Sequence, residues 1–133
     1  MIHWDEKYSV GVHSIDLQHQ EIFRLINKLL DALKKGEALQ VIYPIILELE
    51  RYASIHFQKE EFFFQRFNYP ETSEHIREHR DFIQQVTAFK TDCKAGNLTV
   101  SIKMLNFMNE WIQHHILEID QKYSKCFLEN GLK

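Results

Sequence analysis

His56 and Glu60 stand four residues apart in this sequence, and so do His75 and His79. On an α-helix that spacing places both side chains on one face, one turn apart. Between the two pairs lies Asn68-Tyr69-Pro70, a helix-breaking turn. The stretch from His56 to His79 therefore predicts an antiparallel helix pair, each helix aiming two metal-competent side chains at its partner. No common structural need calls for that arrangement, and it reads as a metal site.

Two further histidines join it once the apolar stripes are traced. His19 falls on the stripe Ile15, His19, Ile22, Ile26, Leu29, Leu33, and His115 continues Leu105, Met108, Ile112. A lone core histidine is more often a hydrogen-bonded structural residue than a ligand. Burying five imidazoles and a carboxylate without a metal, however, would cost several kcal/mol in desolvation and unmet hydrogen bonds. His114 competes with His115, but lies about 100° round the helix from the stripe. His3 and His13 lie outside the stripes and carry no expected role. Asp120 follows His115 by five residues, about 140° round an ideal helix. A π-bulge between them would turn both inward, and such bulges favour functional sites.

The elements that must position these residues are helices. Four Gly and two Pro in 133 residues leave few places to turn. We expect an all-α, up-down-up-down four-helix bundle preceded by an N-terminal arm, in one domain spanning 1–133. The arm covers about residues 1–13 and packs through Trp4 and Tyr8; the helices span about 14–35, 39–67, 72–94 and 99–120. Ser14 is the expected N-cap of the first helix, and Gly36 its terminator. Pro44 lies early in the second, as a first-turn residue or the cause of a kink. Residues 121–133 are expected to fray into a polar tail. With alternating helix directions, His19, His56, Glu60, His75, His79 and His115 all fall toward one end of the bundle.

Composition bounds the rest. A formal charge of −3 gives no reason to expect nucleic acid or an anionic membrane as partner. No apolar run approaches a membrane span, and the start shows no signal peptide. Cys93 and Cys126 are too few for a disulfide framework and read as reduced thiols of a cytoplasmic protein.

The donor set restricts the metal. Nitrogen-rich sites with oxygen bridges suit iron, copper, zinc or nickel and exclude magnesium and calcium. Seven ligands are too many for one tetrahedral zinc, but fit two metals bridged by Glu60 and Asp120. Two octahedral ions offer twelve positions. Five histidines, two bridging carboxylates and one bridging hydroxide or oxide fill eleven, so one position stays open.

At this point the sequence resembles the hemerythrin family, in particular its single-domain bacterial members. The resemblance rests on Trp4, Gly11-Val12, Ile15-Asp16-Leu17-Gln18-His19, His56-Phe57, Glu60-Glu61, Tyr69-Pro70, His75, His79, Phe82, His115-Ile116 and Asp120. It implies two non-haem irons, one held by His75, His79 and His115 and the other by His19 and His56, with Glu60 and Asp120 as bridges. It further implies reversible binding of dioxygen at the open position of the two-histidine iron. Phe64 stands where the family pattern calls for methionine. An oxygen carrier, store or sensor is the expected function, without a catalytic residue. The alternative is a di-iron enzyme reducing O2, peroxide or nitric oxide, and a third class is a structural bundle. Oxygen-activating bundles use carboxylate-rich sets with Glu-x-x-His pairs, which this site lacks. Storage, delivery and sensing are not separated by the sequence, nor is the oligomeric state; an oxygen-using enzyme or a signalling protein is the partner that delivery or sensing would call for.

Overall fold

The structure, a computed structural model, describes residues 2–132. Its helices are α1 (His13–Lys34), α2 (Ala38–Arg66), α3 (Thr72–Lys94), α4 (Val100–Glu110) and α5 (Gln121–Glu129). A π-helical segment, Trp111–Ile119, runs between α4 and α5. The fold is the expected bundle, with α1 and α3 each packed along α2.

Each turn follows local chemistry. Gly36 and Gly96 adopt left-handed φ of 72° and 80° just past the ends of α1 and α3. Asn68 does the same after α2 with φ 52°, as a short polar side chain tolerates. Pro70 then keeps the chain from continuing as helix. Pro44 lies inside α2 but faces solvent, where water can satisfy the carbonyl its ring leaves unpaired.

Two apolar clusters fill the bundle. The larger holds Ile22, Ile26, Leu29, Ile42, Ile46, Leu49, Phe82, Val86, Met104, Met108 and Ile112. The smaller joins Val10 and Val12 of the arm to Ile15, Phe64, Tyr69, Tyr123 and Phe127. The candidate site lies between them. The arm packs by its aromatics as expected, with Trp4 and Tyr8 against Phe23 at 5.5 and 4.9 Å between ring centres. The Ile2 backbone also exchanges two hydrogen bonds with the Asn27 amide.

Two expectations are overturned. Residues 121–129 form a helix instead of a frayed tail, because Tyr123 and Phe127 bury fully against the arm and Phe64. Ser124 and Gln121 fasten it by donating to the Val10 and Tyr8 carbonyls. Ser14 does not cap α1, which begins at His13 after Val12. Asp16 instead accepts from the Val10 N–H and the Ser9 hydroxyl, holding the arm to the helix.

Candidate metal centre

All seven side chains singled out in the sequence meet in one buried cluster. His19, His56, Glu60, His75, His79, His115 and Asp120 are each at most 2% exposed. His19 comes from α1, His56 and Glu60 from α2, His75 and His79 from α3, and His115 from the π segment. His114, by contrast, has a 61% exposed side chain near Glu78 and Glu118, and His3 and His13 are exposed.

The π segment is what brings Asp120 inward. The Asp120 N–H donates to the His115 carbonyl at 2.7 Å, an i to i+5 bond. That bond sets the two residues one turn apart where an α-helix would splay them by about 140°. Asp120 is thereby fully buried.

The donor atoms form two groups that share Glu60. One is Glu60, His75, His79 and His115; the other is His19, His56, Glu60 and Asp120. Asp120 also reaches both. Its Oδ1 lies 2.8 and 2.9 Å from Nε2 of His75 and His115, and its Oδ2 lies 2.9 Å from Nε2 of His19. Glu60 Oε1 lies 3.0 Å from His79 Nε2 and 3.3 Å from His56 Nε2.

These close approaches are not hydrogen bonds. Both oxygens of Glu60, both of Asp120, and Nε2 of His75, His79 and His115 are buried without a hydrogen-bond partner. Lone-pair atoms so arranged are aimed at common points, not at each other. Two donors bound cis at about 2.1 Å from a first-row cation sit about 3.0 Å apart, which matches the spacing here. The cluster therefore fits a pair of cations.

Acceptors behind the rings fix which nitrogen faces inward. His56 Nδ1 donates to Gln18 Oε1 at 2.8 Å, His79 Nδ1 to Glu61 at 2.9 Å, and His115 Nδ1 to Glu78 at 3.2 Å. Each leaves Nε2 to present its lone pair to the centre. Glu78 was not singled out in the sequence. Gln18, Glu61 and Glu78 share a signal that could have found them, since each is the neighbour of a candidate ligand and lies on the flank of its stripe.

Electrostatics of the metal-free cluster suit cation binding. Burial and the charge of Asp120 push the Glu60 carboxyl up, but His56 and His79 outweigh them and hold it well below the usual range. Burial likewise raises Asp120, and His115, His19 and His75 more than reverse it. Both groups are ionised and ready for metal. Burial lowers His56. His115 is pushed down by burial but raised further by Asp120, to about 9, so in the empty site it holds a proton that a metal must displace.

Aromatic rings enclose the cluster. Trp111 stacks on His115 at 3.7 Å, Phe57 on His79 at 3.8 Å, and Tyr52 on His56 at 5.3 Å. Phe64, the departure noted in the sequence, is fully buried and packs on His75 at 4.7 Å. Burial, and then Asp120, push the Tyr52 phenol well above its ordinary value. A surface groove of about 340 Å³ between α1 and α2 reaches Tyr52 and His56 from solvent.

Comparison with known proteins agrees with this geometry. The family described as "Hemerythrin HHE cation binding domain" matches residues 10–126. The chain belongs to the hemerythrin family. It is 32% identical to a bacteriohemerythrin of Clostridium acetobutylicum over 127 residues, 92% of this chain and 98% of that one. A hemerythrin-like protein of Naegleria gruberi is 29% identical over 90% of this chain and 88% of its own length. The crystal structure of a wild-type hemerythrin superposes with a TM-score of 0.85 at 27% identity, covering 95% of this chain and 97% of that one. The hemerythrin domain binds a di-iron centre, and the His, Glu and Asp cluster of this chain can hold such a pair of ions. No helix among the described residues is long and apolar enough to cross a membrane.

Proposed function

We propose that this chain binds dioxygen reversibly at a di-iron centre held by His19, His56, Glu60, His75, His79, His115 and Asp120, as an oxygen carrier, store or sensor. The observation that carries the reading is the double reach of Asp120, whose two oxygens face histidines of different donor groups while Glu60 is shared. A single-metal site has no use for carboxylates so placed. In this reading His75, His79 and His115 would hold one iron and His19 and His56 the other, and the unequal count would leave the second with room for an exogenous ligand.

The bound metal pair supplies the electrons and the vacant position that take up dioxygen. The chain supplies everything else. Gln18, Glu61 and Glu78 orient the imidazoles of His56, His79 and His115, and the ionised Glu60 and Asp120 balance metal charge. Ile112 and Ile116, fully buried beside His115, exclude water from the centre. Only two carboxylates and five neutral imidazoles surround the metals, a donor set that disfavours high-valent iron. That is the argument against the alternative of an enzyme reducing O2, peroxide or nitric oxide.

The reading is tested by gas uptake. Iron-loaded, reduced protein is expected to take up about one dioxygen per two irons and to release it under vacuum. Consumption of oxygen without recovery, at any iron content, refutes reversible binding.

A further inference from the structure

Three buried side-chain donors beside the cluster lack a hydrogen-bond partner in the fold: the Tyr123 hydroxyl, in the smaller apolar cluster with Phe64 and Phe127, and two on the side of the larger one. The Tyr52 hydroxyl and the Trp111 indole N–H are both solvent-excluded and without a hydrogen bond. Tyr52 is 5% exposed and Trp111 7%. An orphaned buried donor costs about 1–3 kcal/mol, and phenylalanine would fill either position with no such cost. Something other than packing explains two donors here.

Their placement is specific. Tyr52 sits one turn before His56 on α2 and lies nearly parallel to its ring, with 16° between the planes. Trp111 opens the π segment and is nearly parallel to His115, with 10° between planes. One donor thus rides on a histidine of each group. The two rings are neighbours, since Phe57 and Phe82 each pack against both. Through these stacked histidines both side chains border the cluster itself. Around them the wall is apolar, formed by Phe57 and Phe82.

We infer that the Tyr52 hydroxyl and the Trp111 N–H form a two-donor site that hydrogen-bonds the small exogenous ligand of the metal centre. This rests on the di-iron reading above and assigns Tyr52 as a positioning residue within it. Donors in an otherwise apolar pocket favour ligands that accept hydrogen bonds, namely dioxygen and small anions, over carbon monoxide, a poor acceptor. They also hold the ligand in one orientation, because both donors are fixed by ring stacking. A charged or charge-developing acceptor makes such bonds roughly twice as strong as a neutral one.

The test uses azide on the oxidised, iron-loaded protein, followed by equilibrium titration and by the infrared stretch of bound azide. Tyr52→Phe keeps the ring on His56 and removes only the hydroxyl. It is expected to retain the wild-type iron content while binding azide about tenfold more weakly. The azide stretch of wild type should shift between H2O and D2O, and that shift should shrink in Tyr52→Phe. Trp111→Phe should weaken azide in the same direction. Equal azide affinity and an equal solvent-isotope shift in wild type and Tyr52→Phe would overturn the assignment. If wild type still takes up and releases dioxygen in that case, only the donor pair is refuted and the carrier reading stands. If wild type binds neither azide nor dioxygen, both fall together.

Discussion

Removing the metal should expose a pH dependence that belongs to one residue. In the iron-free cluster Asp120 holds the His115 imidazolium, raising it from 6.5 to about 9 against the pull of burial. A pKa raised on folding stabilises the native state below the unfolded value and loses that contribution as pH rises through the folded one. The stabilisation is therefore fully present below pH 6.5 and mostly gone by pH 9. A shift of this size corresponds to about 3 kcal/mol, most of which is lost between those two pH values. Glu60 and Asp120 are held well below the usual carboxylate range and stay ionised throughout, so they add no slope in this window. Tyr52, Tyr123 and Cys126 are raised above their ordinary values and also cost stability at alkaline pH. Their ordinary values, 10.0 for the tyrosines and 9.0 for Cys126, put most of that cost above pH 9, so a variant that removes the Asp120 charge reads chiefly the His115 contribution. Urea unfolding of chelator-treated wild type and Asp120→Asn at pH 6.5 and 9 is the assay, with the His115 titration followed by NMR. Wild type should lose about 2–3 kcal/mol more than the variant over the interval. Equal slopes in the two proteins, or a His115 that titrates unchanged in the variant, would refute the electrostatic account of the cluster.

Other outcomes follow from the same geometry. Glu60→Ala removes the carboxylate shared by both donor groups and should abolish the paired site; an unchanged iron content by elemental analysis would disprove its bridging role. His114→Ala should keep the wild-type iron content and His115→Ala should not, and the reverse would put the π segment one residue out of register. Ile112→Ala should cost roughly 2–5 kcal/mol in urea unfolding as a core truncation. It should also shorten the lifetime of the oxygenated absorption band well below the melting temperature; an unchanged decay rate would make Ile112 core packing alone. Phe127→Ala should cost about 3–5 kcal/mol, because its ring seats α5 on the arm and on Phe64.

Much of the site was legible because helical periodicity carries it. His115 rather than His114 continues the stripe from Met108 and Ile112, and the structure buries the first and exposes the second. The five-residue gap to Asp120 conflicted with an α-helix, and that conflict was itself the signal of the π turn. Other features depend on contacts that a local pattern does not display. Tyr123 and Phe127 lie in a largely polar stretch, and their partners Val10, Val12 and Phe64 lie far away in sequence. Tyr52 and Phe64 lie one turn before His56 and one turn after Glu60, and Phe57 flanks them; all three are buried, because α2 packs against α1, α3 and α4. The Ser14 cap failed because the helix begins at His13, two residues earlier than that cap requires, while Asp16 holds the arm with its oxygens.

The central claim, reversible dioxygen binding at a paired iron site, is tested most directly by one optical titration. Iron-loaded protein is reduced under argon, opened to air, and returned to argon, with the visible spectrum recorded at each step. The account predicts a colourless reduced form, a visible band that rises in air, and loss of that band on return to argon through repeated cycles. A spectrum that moves once to an oxidised form and does not return would contradict it.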